Sequence, residues 1–152
     1  MQIITKSQSQ TELFGKNLAA KLKGGDILLL SGELGAGKTS LVKGIAAGLG
    51  IKNEITSPTF TLMNVYPVKS GKAGPPSAVF NRVNTLVHID TYRLKDEKEL
   101  SEIGVEDYLG QANTICIIEW PEKIADLLKK YDTTSITIEH GEKPEERKII
   151  TS

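Results

Sequence analysis

Cysteine, tryptophan and net charge are all scarce in this chain. The single cysteine, Cys116, leaves no intrachain disulfide possible, which fits a reducing compartment. The 19 Lys and Arg residues are balanced by 19 Asp and Glu residues, so bulk charge predicts no strong attraction to nucleic acid or to an anionic membrane. No apolar run reaches about 18 residues, the length of a membrane-spanning helix, and the first residues lack the apolar segment of a signal peptide. We therefore expect a cytoplasmic protein with no membrane partner.

What remains is the composition of an ordinary globular protein. The chain has 152 residues, of which 39% are apolar and 25% are charged. That length suits one domain, which buries roughly two-thirds of its unfolded surface, so we expect a single domain over residues 1–152. A stretch rich in Pro and Gly at residues 67–84 is expected to form a surface insertion, because strand patterns resume directly after it.

Strand and helix patterns alternate along the chain. Short apolar or β-branched runs predict strands at residues 2–5, 27–30, 61–66, 86–90, 114–119, 135–139 and 148–151. Helices are predicted from a capping box at Ser9–Glu12 to a stop at Gly24, and at residues 38–49, 97–103 and 122–130. This alternation predicts an α/β fold, with helices flanking a mostly parallel central sheet.

The phosphate-binding pattern G-x-x-x-x-G-K-[ST] is matched in full at residues 32–39, which read Gly32-Glu33-Leu34-Gly35-Ala36-Gly37-Lys38-Thr39. Glycines let backbone N–H groups converge on phosphate, and the helix that follows points its positive dipole end at the anion. Lys38 is expected to reach the β- and γ-phosphates, and the Thr39 hydroxyl to bind Mg²⁺. The predicted contacts of ATP or ADP are Glu33, Leu34, Gly35, Ala36, Gly37, Lys38, Thr39 and Ser40. A chance match in a glycine-rich turn is disfavoured, because a strand precedes the loop and a helix follows it.

Two acidic residues end apolar strand patterns. Asp90 closes the run at 86–90 and Glu119 closes the run at 114–119. Ligands of open α/β sheets gather at the carboxyl ends of the strands, so either carboxylate is expected to hold the metal or to orient a water molecule. Capping of a helix, or pairing with Arg93, is the alternative for each. We therefore predict Lys38, Asp90 and Glu119 as catalytic residues that act by positioning and electrostatic stabilisation.

Several further residues allow more than one interpretation. The hydroxyl-rich segment at 56–60 is equally typical of a phosphate-sensing switch loop and of an ordinary turn. His88 lies on the same strand face as Asp90, where a structural role is the more common one. Arg93 is a candidate arginine finger or a partner in a surface ion pair, and Cys116 is expected to be inert core.

Five segments taken together resemble the TsaE family of small P-loop ATPases. Besides the P-loop they are Ser57-Pro58-Thr59-Phe60-Thr61-Leu62, His88-Ile89-Asp90-Thr91-Tyr92-Arg93-Leu94, Glu102-Ile103-Gly104 and Ile118-Glu119-Trp120-Pro121. The P-loop alone is not specific, but the combination, in this order from about Ser9 to Glu122, is highly specific. The chain departs from a typical member between Tyr66 and His88, where it is longer.

The resemblance implies an ATPase that is weak alone and acts with the TsaB–TsaD complex. That complex transfers a threonylcarbamoyl group to adenosine 37 of tRNAs that read ANN codons. The ATPase would not perform the transfer itself and would meet tRNA only through the complex. The resemblance also implies that Thr39 and Glu119 bind Mg²⁺, that Asp90 is needed for activity and that Thr11 lies near the adenine.

The main alternative is a small-molecule or nucleotide kinase. Such kinases usually need a lid and an acceptor-binding insertion, and only residues 67–84 are available here for either. A GTP switch is disfavoured because no Asn/Thr-Lys-x-Asp tetrapeptide occurs: Thr5-Lys6-Ser7-Gln8 lacks the Asp.

Overall fold

The computed structural model describes residues 1–69 and 83–152. Most of the insertion predicted at 67–84 therefore lies outside the described residues. Its two ends are held together, since the Val68 N–H donates to the Asn84 carbonyl at 2.8 Å. Within the described ranges, no helix combines the length and the apolar character needed to cross a bilayer.

Seven strands in the described residues form one sheet. They are β1 (Gln2–Thr5), β2 (Ile27–Ser31), β3 (Met63–Pro67), β4 (Thr85–Asp90), β5 (Thr114–Glu119), β6 (Thr134–His140) and β7 (Arg147–Thr151). The α-helices described are α1 (Gln8–Ala19), α2 (Lys38–Gly48), α3 (Lys98–Glu102) and α4 (Ala125–Leu128), with 3₁₀ turns at Val105–Asp107 and Pro121–Ile124.

The sheet is parallel at its centre and antiparallel at both edges. Its strand order is β1-β7-β6-β2-β5-β4-β3, and the pairs β6–β2, β2–β5 and β5–β4 are parallel. The outer pairs β1–β7, β7–β6 and β4–β3 are antiparallel. The α/β fold class with a mostly parallel central sheet is thereby confirmed.

Alternating side chains of the central strands fill two separate cores. Leu86, Ile115 and Ile117 pack with α2 on one face, whereas Val87 and Ile118 pack with α3 and the short helical turns on the other. Strands buried on both faces are expected to be apolar throughout, and β5 is fully buried over its whole length. Cys116 belongs to the second core, where burial raises the pKa of its thiol to about 12, as expected for an inert core cysteine.

Helices α1 and α2 approach each other at two glycines. A Cβ on Gly15 would lie 2.5 Å from the Leu41 carbonyl oxygen, and a Cβ on Gly44 would lie 2.0 Å from the Glu12 carbonyl oxygen. A larger residue at either position would push the helices apart. This packing fixes α1 against the helix that follows the P-loop.

Two helix predictions were wrong in their bounds. Helix α1 begins two residues earlier than expected, because the Ser7 side chain rather than that of Ser9 caps it by accepting from the Gln10 N–H at 3.2 Å. It also ends at Ala19, well before Gly24, and the turn that follows keeps Leu22 against the core. The helix predicted at 122–130 is broken into a 3₁₀ turn and the four-residue α4.

Candidate functional site

The P-loop connects β2 to α2, as its chemistry requires. Gly32 has φ +150°, and a Cβ there would lie 2.4 Å from the Ile138 carbonyl oxygen. Gly37 caps α2 at φ +102°. The backbone N–H groups of Gly35, Gly37, Lys38, Thr39 and Ser40 donate no hydrogen bond to any described residue. Such a set of free donors at a helix N-terminus suits an anion.

Lys38 lies folded back across the loop. Its Nζ donates to the carbonyl oxygens of Gly32 at 2.6 Å and Glu33 at 2.9 Å, and it lies 4.6 Å from the centroid of the Trp120 ring. Burial lowers the pKa of this lysine, and the negative charges of Glu119 and Asp90 oppose that shift. Among the described residues the ammonium has carbonyl partners and no carboxylate within ion-pair distance.

Asp90 and Glu119 are register partners at the ends of β4 and β5. Asp90 Oδ2 accepts from Thr59 Oγ1 at 2.9 Å and from Ser57 Oγ at 3.3 Å, and Oδ1 accepts from the Tyr92 N–H at 2.8 Å. The hydroxyl-rich segment at 56–60 is therefore tied to Asp90 rather than free in solution.

Glu119 is held by a histidine instead of hydroxyls. Its Oε1 lies 2.8 Å from His88 Nε2, inside the protein. Its other oxygen, Oε2, makes no hydrogen bond among the described residues. Oε2 is also not a fully buried atom, since the one buried, unpaired side-chain N or O atom among those residues is His88 Nδ1. Because Glu119 also lines a cleft, Oε2 is the oxygen that a ligand in that cleft can reach.

A cleft of about 280 Å³ joins the loop to the strand ends. Its lining residues are Leu34, Gly35, Gly37, Lys38, Thr39, Ser40, Ser57, Thr59, Asp90, Tyr92, Glu119 and Trp120. The structure thus brings together all three predicted catalytic residues and most of the predicted P-loop contacts. Glu33 and Ala36 do not line it: the Glu33 side chain is exposed and Ala36 is buried under the loop.

Thr11 lies in a second cleft, on the other side of the P-loop. This space of about 330 Å³ shares Gly35, Gly37 and Ser40 with the first and is otherwise lined by Gln8, Thr11, Pro144, Glu145 and Arg147. Thr11 is buried, and its hydroxyl lies 2.7 Å from that of Thr5. The position suits a ligand that extends from the loop toward α1.

Sequence reasoning missed Arg147. Its guanidinium donates to the Pro144 and Glu146 carbonyls at 2.6 and 2.7 Å and lies 3.4 Å from the Gly35 carbonyl oxygen. Arg147 belongs to no recognisable sequence motif. It lies beside the P-loop because β7, which it begins, pairs with β6.

Sequence reasoning also missed the role of Thr91, which ties the two strand ends together. Its hydroxyl donates to the Trp120 carbonyl at 2.6 Å, and its N–H donates to the Glu119 carbonyl at 3.2 Å. Trp120 has φ +57°, a conformation that costs a non-glycine residue roughly 1–2 kcal/mol. The bond from Thr91 helps to hold that turn, which places the indole ring beside Lys38.

The donors in the first cleft fit Mg²⁺ bound together with a phosphate ligand. They include the Thr39 hydroxyl and the carboxylates of Glu119 and Asp90, and Mg²⁺ prefers oxygen ligands and keeps several waters. No cluster of three or more His, Cys, Asp or Glu side chains able to hold a metal occurs in residues 1–69 and 83–152. The protein oxygens alone are thus too few, as in sites where substrate phosphates complete the metal's ligands.

Comparison with known families decides the identity. The family described as "Threonylcarbamoyl adenosine biosynthesis protein TsaE" matches residues 5–149. The chain belongs to the TsaE family. A TsaE relative from Treponema pallidum is 38% identical over 134 residues, or 88% of both chains. Another, from Bacillus subtilis, is 38% identical over 125 residues, or 82% of this chain and 68% of the relative.

The TsaE fold is also found in a solved structure. The crystal structure of YdiB from Bacillus subtilis superposes with a TM-score of 0.73 at 32% identity, covering 100% of this chain and 84% of that one. The matching relatives are named as tRNA threonylcarbamoyladenosine biosynthesis proteins. The family resemblance found in the sequence motifs is thereby confirmed.

Proposed function

We propose that this TsaE-family chain is a Mg²⁺-dependent ATPase that supports threonylcarbamoyladenosine formation at position 37 of tRNAs reading ANN codons. It acts with the TsaB–TsaD complex in the cytoplasm, does not transfer the threonylcarbamoyl group itself and meets tRNA only through that complex. The biosynthetic role is supported by family membership over residues 5–149. The ATPase activity is supported by the geometry of the site.

One observation carries the ATPase proposal: Lys38, Thr39, Asp90 and Glu119 line a single cleft beside the free N–H groups of the P-loop. These side chains come from three separate parts of the chain, and the parallel register of β4 with β5 brings the two carboxylates side by side. A lysine for the phosphates, a hydroxyl and a carboxylate for Mg²⁺, and a further side chain that orients the water are recurring parts of P-loop NTPase sites.

The substrate would lie across both clefts. Its triphosphate would accept from the P-loop N–H groups and from Lys38, which would exchange its carbonyl partners for phosphate oxygens. Gly35, Gly37 and Ser40 line both clefts, so the nucleoside would extend past them toward Thr11. Arg147 would border the nucleoside on the side away from the carboxylates.

Thr39 and Glu119 would hold Mg²⁺, which supplies positive charge against the β- and γ-phosphate oxygens when it is bound. Asp90 would orient the attacking water and accept its proton. Oδ2 of Asp90 already accepts from Ser57 and Thr59, so the 56–60 segment has to adjust if that oxygen is to meet the water. We therefore expect slow hydrolysis by the protein alone.

No arginine of the described residues lines the first cleft, so a partner protein is the source we propose for an arginine finger. The Arg93 guanidinium lies 4.3 Å from the centroid of the Phe60 ring, and Arg93 lines neither of the two clefts described. Acceleration by TsaB–TsaD has a physical basis here, because a partner can supply charge to the γ-phosphoryl group or release the 56–60 segment from Asp90.

The test is ATP hydrolysis by the purified protein, alone and with its cognate TsaB, TsaD and tRNA. Slow hydrolysis alone and stimulation by the partners are expected, and both should vanish in Lys38→Ala and Glu119→Ala. Lys43→Ala is the matched control, because Lys43 is exposed on the same helix and should leave both rates unchanged. Stimulation that survives in Lys38→Ala would refute the site. Phosphate transfer to an added acceptor, without partner stimulation, would favour a kinase instead.

A further inference from the structure

His88 is a fully buried histidine whose side chain makes one hydrogen bond within the described part of the chain. It lies in the middle of β4, at 0% exposure, between the apolar residues Val87 and Ile89. Its Nε2 lies 2.8 Å from Glu119 Oε1. Its Nδ1 is buried and has no hydrogen-bond partner among the described residues.

A histidine in this state is a poor choice for stability alone. A buried polar atom without a partner costs about 1–3 kcal/mol, and an aromatic hydrocarbon of similar size would fill the same space without that cost. Natural sequences break packing rules of this kind mainly at functional sites. The group that gains from His88 is Glu119, which is its only hydrogen-bond partner among the described residues.

The direction of this hydrogen bond follows from the chemistry of the two groups. When the Glu119 carboxylate is ionised it can only accept, and His88 Nε2 is then the donor of this hydrogen bond. A neutral imidazole has one N–H, which leaves Nδ1 as the bare acceptor. Since His88 occupies Oε1, the carboxylate cannot rotate freely, and Oε2 is directed to the cleft.

We propose that His88 is a positioning residue that fixes the orientation of Glu119 for Mg²⁺ through a hydrogen bond from Nε2 to Oε1. This inference rests on the proposed function, because it assigns His88 a task toward the metal of that site. Residues that orient a metal ligand typically change metal affinity or activity 10- to 100-fold when they are replaced. His88 itself touches neither the substrate nor the metal.

The first test measures the tautomer of His88 in the protein without nucleotide or metal. The chain has two histidines, His88 and the exposed His140, so ¹⁵N-histidine labelling gives two imidazole patterns, and His140→Gln assigns them. On this proposal, His88 is expected to carry a proton on Nε2. Glu119→Ala should shift the Nε2 resonance. A proton on Nδ1 alone, or no shift in Glu119→Ala, would overturn the proposal whether or not the protein hydrolyses ATP.

The second test compares His88→Phe with His88→Gln. The Phe variant keeps the ring volume but has no donor, and its Mg²⁺ concentration for half-maximal hydrolysis is expected to rise about 10-fold. Its thermal midpoint is expected to fall as well, because the buried Glu119 Oε1 loses its partner, so activity is expressed per folded molecule. The Gln variant retains an N–H that can reach Oε1 and should stay close to the wild-type Mg²⁺ dependence.

Three results separate the possible failures of this second test. An unchanged Mg²⁺ dependence in His88→Phe would overturn the positioning role. His88 would be purely structural if the loss of activity were fully explained by the unfolded fraction of the variant. Absence of Mg²⁺-dependent hydrolysis in the wild type would count against the proposed function itself. In that case the tautomer measurement still decides whether His88 holds Glu119.

Discussion

The two faces of strands β4 and β5 have opposite characters. On the face toward α2, the carboxyl ends of the two strands carry the polar residues His88, Asp90 and Glu119. Earlier positions on the same face, such as Leu86 and Ile117, are apolar. On the opposite face the same strands are apolar to their ends, as at Ile89 and Ile118. One backbone thus serves two tasks, because successive side chains point to opposite sides of a sheet.

The geometry of the site depends on the pairing register of β4 with β5. The two carboxylates meet because Asp90 pairs with Glu119 across a parallel ladder. If either strand slipped by one residue, its side chains would change faces. Polar residues such as Asp90 would then enter the apolar core, and apolar residues such as Ile89 would face the P-loop. The buried apolar face opposes such a slip, so the core on one side maintains the geometry of the site on the other.

The largest expected effect is on the polar face, at Asp90. In Asp90→Asn the side chain keeps its shape but loses the charge that accepts a proton, so kcat for ATP hydrolysis should fall about 100-fold or more. The KM for ATP and the thermal midpoint should change little. Steady-state kinetics and thermal unfolding of the same preparation check this. A raised KM at an unchanged kcat would assign Asp90 to substrate binding instead.

The opposite result is expected on the apolar face, at Ile118. This side chain is fully buried, and Ile118→Ala should lower the free energy of unfolding by about 2–5 kcal/mol. Hydrolysis per folded molecule should stay at the wild-type rate, because the side chain points away from the cleft. Denaturant unfolding together with activity at low temperature checks both. A large kinetic loss in the folded variant would break the division between the two faces.

The smallest effect expected is the pH dependence of stability caused by Lys38. Burial lowers the pKa of Lys38 below its ordinary value of 10.5, so the unfolded chain binds more protons than the folded one between the two values. The stability contribution of Lys38 should therefore rise with pH in that window. In Lys38→Met this rise should be absent, and the difference in thermal midpoint between wild type and variant should change in favour of the wild type as the pH increases. If the thermal midpoints of wild type and Lys38→Met changed in parallel with pH, the lowered pKa of Lys38 would be contradicted.

The parts of the molecule that were predictable from sequence are those set by local chemistry. The P-loop, β5 and the acidic strand ends follow from short patterns whose meaning does not depend on distant residues. Arg147 could not be found in this way, because its place beside Gly35 results from strand order at the edge of the sheet. The same holds for the bond from Thr91 to Trp120, which joins loops 29 positions apart.

The predicted bounds of two helices were wrong for a different reason. Both Ser7 and Ser9 begin an S-x-x-[EQ] pattern, and the structure uses the first: Ser7 Oγ accepts from the Gln10 N–H, and Gln10 Oε1 accepts from the Lys6 N–H. Downstream of β5, Trp120 adopts a left-handed conformation and Ile124 has φ −129°, so the apolar spacing at 122–130 does not become one continuous helix. In this second segment a tertiary contact, the bond from Thr91 to the Trp120 carbonyl, acts against local helix propensity.

Trp120 has one further consequence, because it is the chain's only tryptophan. Its indole lies 4.6 Å from the P-loop ammonium and 5.0 Å from the Tyr92 ring. The tryptophan fluorescence of the protein, excited selectively over that of its tyrosines, therefore originates in the first cleft. Any ligand that draws Lys38 away from the ring changes the electric field at the fluorophore, so emission can follow occupancy of the cleft in real time, without a label and in the presence of tryptophan-free partners.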